Sequence, residues 1–196
     1  MNVPNQLTVL RIIFTVCFVI FLLSAGLTAK IFAFFAFGLA SLTDILDGYL
    51  AKRNNQVTDF GKLMDPIADK ILVLSSFISF VGLDLIPAWT VVVIIIREIA
   101  VTALRGLALT KKKVISASGS GKQKTVSQIF VIFVILIYLI LNEGGIKMFS
   151  FWTDRFNGMY KDVIFTLMCI TVVFTLISGV SYFIKNKEVY SNEKTH

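Results

Sequence analysis

The sequence is short of charge, histidine and cysteine, and each shortage removes a class of chemistry. Charged residues fill 16% of the 196 positions, against about a quarter in an ordinary soluble domain. They are also clustered, which leaves long apolar stretches between them. The only histidine is His196, the last residue. That removes His-rich zinc sites and histidine general bases from the possible chemistries. Cys17 and Cys169 both fall inside apolar runs. They read as small buried hydrophobes, and no disulfide framework is expected.

What is present is apolar: 56% of the chain. A membrane-spanning helix needs about 20 mostly apolar residues. Six stretches qualify, at about 7–24, 30–51, 62–82, 87–109, 125–141 and 162–184. The expected fold is therefore all-α and polytopic, with six transmembrane helices in a single domain, 1–184. A polar tail, 185–196, follows. The first stretch reads as a retained helix, because Arg11 alone makes a poor signal-peptide n-region and no cleavage site dominates.

Positive charge marks the cytoplasmic side of a membrane protein. One set of connections holds Lys52, Arg53, Lys62, Lys111, Lys112, Lys113, Lys122, Lys124, Lys185, Lys187 and Lys194. The opposite set holds only Lys30, Lys147, Arg155 and Lys161. Both termini are thus expected in the cytoplasm, in a multi-pass protein of the cytoplasmic membrane. The connection 143–160 then lies outside, where Phe149, Phe151, Trp152, Phe156 and Tyr160 suit an interfacial aromatic belt.

Asp44, Asp47, Asp65 and Asp69 stand against this apolar background. A carboxylate at the membrane centre costs roughly 2.5–3.5 kcal/mol even on a lenient scale. Asp44 and Asp47 are three apart and share a helix face, as do Asp65 and Asp69, four apart. The expected topology puts the end of the second helix and the start of the third on the cytoplasmic face, so four carboxylates converge there. So many like charges cannot all ionise without help. Divalent metal removes the conflict, and oxygen-only ligands favour Mg²⁺ or Mn²⁺, with room for two ions. Gly48, among them, either opens the backbone to a ligand or allows tight helix packing.

The run from Asp44 to Asp69 resembles the signature of the CDP-alcohol phosphatidyltransferases. Asp44, Asp47, Gly48, Ala51 and the basic position 52 are followed, after the usual eight-residue gap, by Gly61, Asp65 and Asp69. Lys52 departs from the pattern, standing where the family usually has Arg; it keeps the charge and loses the forked geometry. The resemblance implies transfer of a phosphatidyl group from CDP-diacylglycerol to an alcohol, with release of CMP. It implies that Asp44, Asp47, Asp65 and Asp69 bind the metal and that Asp69 is also the catalytic base. It places the CDP moiety against Asp44, Asp47, Gly48, Ala51, Lys52 and Gly61. The N-terminal run from Pro4 to Arg11 is similar to the family's as well, so Asn5 and Thr8 either meet the nucleotide or cap the first helix. Family members are commonly homodimers, and one is expected here. Membrane lipids are the surroundings, and no nucleic-acid partner is expected.

Arg97, within the fourth apolar stretch, is a functional candidate by its position. Glu98, adjacent in sequence, points elsewhere around the helix and need not be its partner. Arg97 and Arg105 are eight apart, close to one stripe. With Lys124 they suit an anionic acceptor, phosphate above all. The runs 97–105 and 121–128 resemble the family branch that uses sn-glycerol 3-phosphate. Competing readings are the same chemistry with inositol phosphate, inositol or serine, an aspartate-rich membrane prenyltransferase, and an ion carrier.

Overall fold

The computed structural model describes residues 3–54, 59–111, 119–148 and 154–187; side chains are described for 6–44, 67–68, 70–108, 110–111, 121–144 and 158–187. Among these residues the chain forms six α-helices: α1 (Val3–Leu23), α2 (Leu27–Asn54), α3 (Asp59–Gly82), α4 (Ala88–Thr110), α5 (Gly119–Met148) and α6 (Asp154–Lys185). No strand occurs among the described residues, as the all-α expectation required. Each expected stretch lies on one helix, to within a residue at its ends. The helices overrun the apolar windows because Gln, Glu, Lys and Arg are good helix formers and do not end a helix. The outer connection expected at 143–160 is accordingly shorter, since α5 continues to Met148 and α6 begins at Asp154.

Four stretches among the described residues are long and apolar enough to cross a membrane: Gln6–Leu23, Leu27–Asp44, Gly121–Gly144 and Gly158–Lys185. α4 falls short because Arg97, Glu98 and Arg105 interrupt it, and α3 shows only the shorter apolar stretch Lys70–Gly82. Outward faces support the same setting. Ile13, Val16 and Ile20 on α1, and Phe32 and Phe35 on α2, are all exposed. Apolar surface of this extent marks contact with lipid or a partner rather than water.

The helices group into two compact units, one built from 1–85 and 132–161, the other from 86–131 and 162–196. In the first unit α1 and α2 form an antiparallel hairpin. Arg11 meets Asp44, Phe18 meets Phe37 and Phe21 stacks on Phe32, so residue numbers rise along α1 as they fall along α2. Ala33, Ala36 and Ala40 are buried on α2 and let the backbones approach. Phe37 fills the centre, with ring centroids 5.5 Å from Phe18 and 5.1 Å from Phe133 of α5. The turn between α1 and α2 passes through Gly26 at φ 98°, a left-handed conformation that suits glycine. Lys30 reaches back over this turn: its Nζ donates to the carbonyls of Leu22 at 2.7 Å and Ser24 at 2.9 Å. A cation there satisfies carbonyls at the end of α1 and opposes the negative end of its dipole.

In the second unit α4 and α6 run parallel. Arg97 meets Ser178 and Gly179, and one turn on, Val101 and Leu104 pack with Tyr182. The turn before α4 carries Asp84 at φ 54°, a left-handed conformation that Asp adopts more readily than most residues. Pro87 then sits just ahead of α4, where its missing N–H costs nothing. Cys17 and Cys169 are free thiols.

Candidate functional site

The first candidate surface lies on the α1–α2 hairpin. Asp44 sits late in α2, with a side chain that is part-exposed. Arg11 of α1 is fully buried, and its Nη2 donates to Asp44 Oδ1 at 2.9 Å. Burying a guanidinium is expensive unless an anion accompanies it, so the ion pair fixes α1 against α2 at the depth of Asp44. Thr15 secures the next turn, donating to the Arg11 carbonyl at 2.8 Å. Thr8, one turn before Arg11, is also fully buried. Asp47, Gly48, Ala51 and Lys52 fall within α2, Gly61, Asp65 and Asp69 within α3, and Asn5 within α1. The side chains of these eight lie outside the described residues. Among the described residues no group of three or more acidic, histidine or cysteine side chains could hold a metal. The donor set that the sequence offers is carboxylate alone, which suits a hard divalent ion. Asp44 fits that set: it is accessible, and it already draws one cation to itself.

The second candidate surface lies in the other unit and carries opposite charge. Glu98 of α4 is buried, and its Oε1 accepts from two cations. Arg97 Nη1 donates at 2.9 Å, and Lys124 Nζ of α5 makes a second ion pair with the same oxygen. Arg97 Nη2 donates to Ser178 Oγ of α6 at 2.7 Å. Three helices are thus joined around one carboxylate. Two cations and one anion meet there among the described residues. Gly179 makes room for the Arg97 stem, since a Cβ there would stand 3.0 Å from Arg97 Cγ. On that side Arg97 and Gly179 line an apolar cavity of about 450 Å³ between α4 and α6. Arg105 is not part of the cluster; it is exposed and forms no ion pair among the described residues.

One pairing differs from the sequence reading, and a second was not anticipated by it. Glu98 is the partner of Arg97 after all, because a long guanidinium side chain curls back to its neighbour despite the helical offset. Arg11 serves as partner to Asp44, and a lone basic residue inside an apolar stretch was the signal for it. The sequence reading also passed over a polar stripe on α6. Thr171, Thr175, Ser178 and Tyr182 recur at helical spacing, and all are buried. Thr166 satisfies its hydroxyl on the Asp162 carbonyl at 2.8 Å, whereas the hydroxyls of Thr171, Thr175 and Tyr182 meet no partner among the described residues.

Membrane-length helices and two charged surfaces define the class first: an all-α membrane protein. Residues 1–177 match the model of the CDP-alcohol phosphatidyltransferase family. The chain belongs to that family and is an enzyme. It is similar to the CDP-diacylglycerol–glycerol-3-phosphate 3-phosphatidyltransferase of Bacillus subtilis (strain 168), 37% identical over 199 residues, covering 95% of this chain and 96% of that protein. The protein of the same name from Rickettsia typhi is 35% identical over 185 residues, covering 93% of this chain and 95% of that one. A probable phosphatidylglycerophosphate synthase of Mycobacterium tuberculosis is 34% identical and covers 92% of this chain and 79% of its own.

Proposed function

We propose that this enzyme transfers the phosphatidyl group of CDP-diacylglycerol to sn-glycerol 3-phosphate, forming phosphatidylglycerol phosphate and CMP. The observation that carries the reading is likeness over nearly the whole chain to relatives whose names state this reaction. The Arg97–Glu98–Lys124 cluster is its physical counterpart, because an anionic acceptor requires buried positive charge.

Asp44, Asp47, Asp65 and Asp69 hold the divalent metal, two ions of Mg²⁺ or Mn²⁺. When bound, these supply positive charge that stabilises the phosphates and the departing CMP. Asn5, Thr8, Gly48, Ala51, Lys52 and Gly61, with Asp44 and Asp47, seat the CDP moiety. Arg97, Arg105 and Lys124 hold the acceptor phosphate; Arg offers it two parallel N–H donors and Lys a compact charge. Asp69 accepts the proton of the acceptor hydroxyl as its oxygen attacks the β-phosphorus. The bond from that phosphorus to the oxygen of CMP then breaks, and CMP leaves with the electron pair. Six helices cross the cytoplasmic membrane, with both termini and the site on the cytoplasmic side, and the enzyme is a homodimer.

Purified enzyme given CDP-diacylglycerol should release CMP only when glycerol 3-phosphate is added, one molecule for each acceptor consumed. Asp69→Asn should slow turnover by roughly a hundredfold or more, while the KM for CDP-diacylglycerol barely moves. Full turnover in Asp69→Asn, or release of pyrophosphate in place of CMP, contradicts the proposal.

A further inference from the structure

The Arg97 guanidinium is held by two hydrogen bonds, and one of them comes from another helix. Nη1 donates to Glu98 Oε1 at 2.9 Å. That contact joins neighbours on α4, so it moves with α4 and fixes nothing against α6. Nη2 donates to Ser178 Oγ of α6 at 2.7 Å. Nε is buried and meets no partner among the described residues. Ser178 is fully buried. Ser75, Ser76 and Ser127 turn their hydroxyls onto carbonyls three or four residues back in their own helices, a common course for serine in a helix. Ser178 instead accepts from Arg97 across the gap between two helices. Packing does not hold the guanidinium in place. The cavity of about 450 Å³ lies against Arg97, and the rest of its wall is apolar, with Ile96, Leu176, Val180 and Phe183 among its residues. A long side chain beside open space has other rotamers within reach, and it loses entropy in keeping to one. Hydrogen bonds therefore set the direction of this guanidinium, and Ser178 is the one that sets it relative to α6.

We propose that Ser178 is a positioning residue for the acceptor: its hydroxyl aims Arg97 at the phosphate of glycerol 3-phosphate. This rests on the reading of Arg97 and of the acceptor given above. Ser178→Ala removes the accepting oxygen and leaves the Glu98 pair in place. In the full-length enzyme it raises the KM for glycerol 3-phosphate by about tenfold, while kcat and the KM for CDP-diacylglycerol hold. The retained CDP-diacylglycerol constant shows that the variant is folded. Arg97→Ala has no guanidinium to aim, so adding Ser178→Ala to it moves the acceptor constant no further. An unchanged glycerol 3-phosphate KM in Ser178→Ala, even with a lower melting temperature in detergent, leaves the bond a structural one and overturns the positioning role. So does an equal rise in both substrate constants, or a further rise when the two substitutions are combined. In each of these cases the reaction itself stands. A wild-type enzyme inactive with glycerol 3-phosphate overturns the reading beneath the proposal as well.

Discussion

Arg97 meets two constraints at once. Its guanidinium is shared between Glu98 and Ser178, and its stem lies against a glycine. A Cβ at position 179 would stand 3.0 Å from Cγ and 3.7 Å from Nε. The clash is with the stem rather than the mobile tip, so the whole side chain has to move. Gly179→Ala should therefore raise the KM for glycerol 3-phosphate roughly tenfold and leave that for CDP-diacylglycerol alone. Steady-state kinetics with each substrate varied in turn checks this, and an unchanged acceptor constant means that Arg97 does not touch the acceptor. Arg97 and Lys124 were legible in the sequence as charges out of place. Their joint dependence on Glu98 was not, because it turns on side-chain rotamers across two helices. Helical spacing places backbones, and it leaves the tip of an arginine free by several ångströms.

At the scale of elements, the α1–α2 hairpin aligns Arg11 with Asp44 and sets the depth of the acidic residues that follow. Besides that ion pair the hairpin is fastened by the buried aromatic contact of Phe37 with Phe18 and by the Lys30 cap on the end of α1. Lys30→Met keeps an apolar stem and removes both hydrogen bonds to the Leu22 and Ser24 carbonyls. The loss should cost about 2 kcal/mol, read as a lower melting temperature in detergent. A melting curve that does not move would show that water caps those carbonyls equally well. The positions of the helices were legible because an apolar window of membrane length leaves few alternatives. Their ends were not, because lysine, glutamate and glutamine extend a helix as readily as they end one. That ambiguity produced the overlong outer connection between α5 and α6.

For the whole molecule, the proposed orientation rests on the lysines and arginines of the connections, and the proposed acceptor site depends on it to meet cytoplasmic glycerol 3-phosphate. A protein lacking Cys17 and Cys169 and carrying a single new cysteine reports it directly. A membrane-impermeant maleimide should label Ala88→Cys in intact cells, and Lys111→Cys only after permeabilisation. The reverse pattern would put the acidic residues on the wrong side of the membrane. The acidic motif was legible from spacing alone, since seven positions recur at fixed intervals between Asp44 and Asp69. The polar stripe of α6 escaped notice because threonine in an apolar helix ordinarily satisfies itself on its own backbone.

The most direct measurement is the mass of the lipid formed when the purified enzyme meets CDP-diacylglycerol and an equal mixture of glycerol 3-phosphate, inositol, inositol phosphate and serine. The predicted product is phosphatidylglycerol phosphate, with the other phospholipids absent. Phosphatidylinositol, its phosphate or phosphatidylserine as the main product would contradict the assignment of the acceptor.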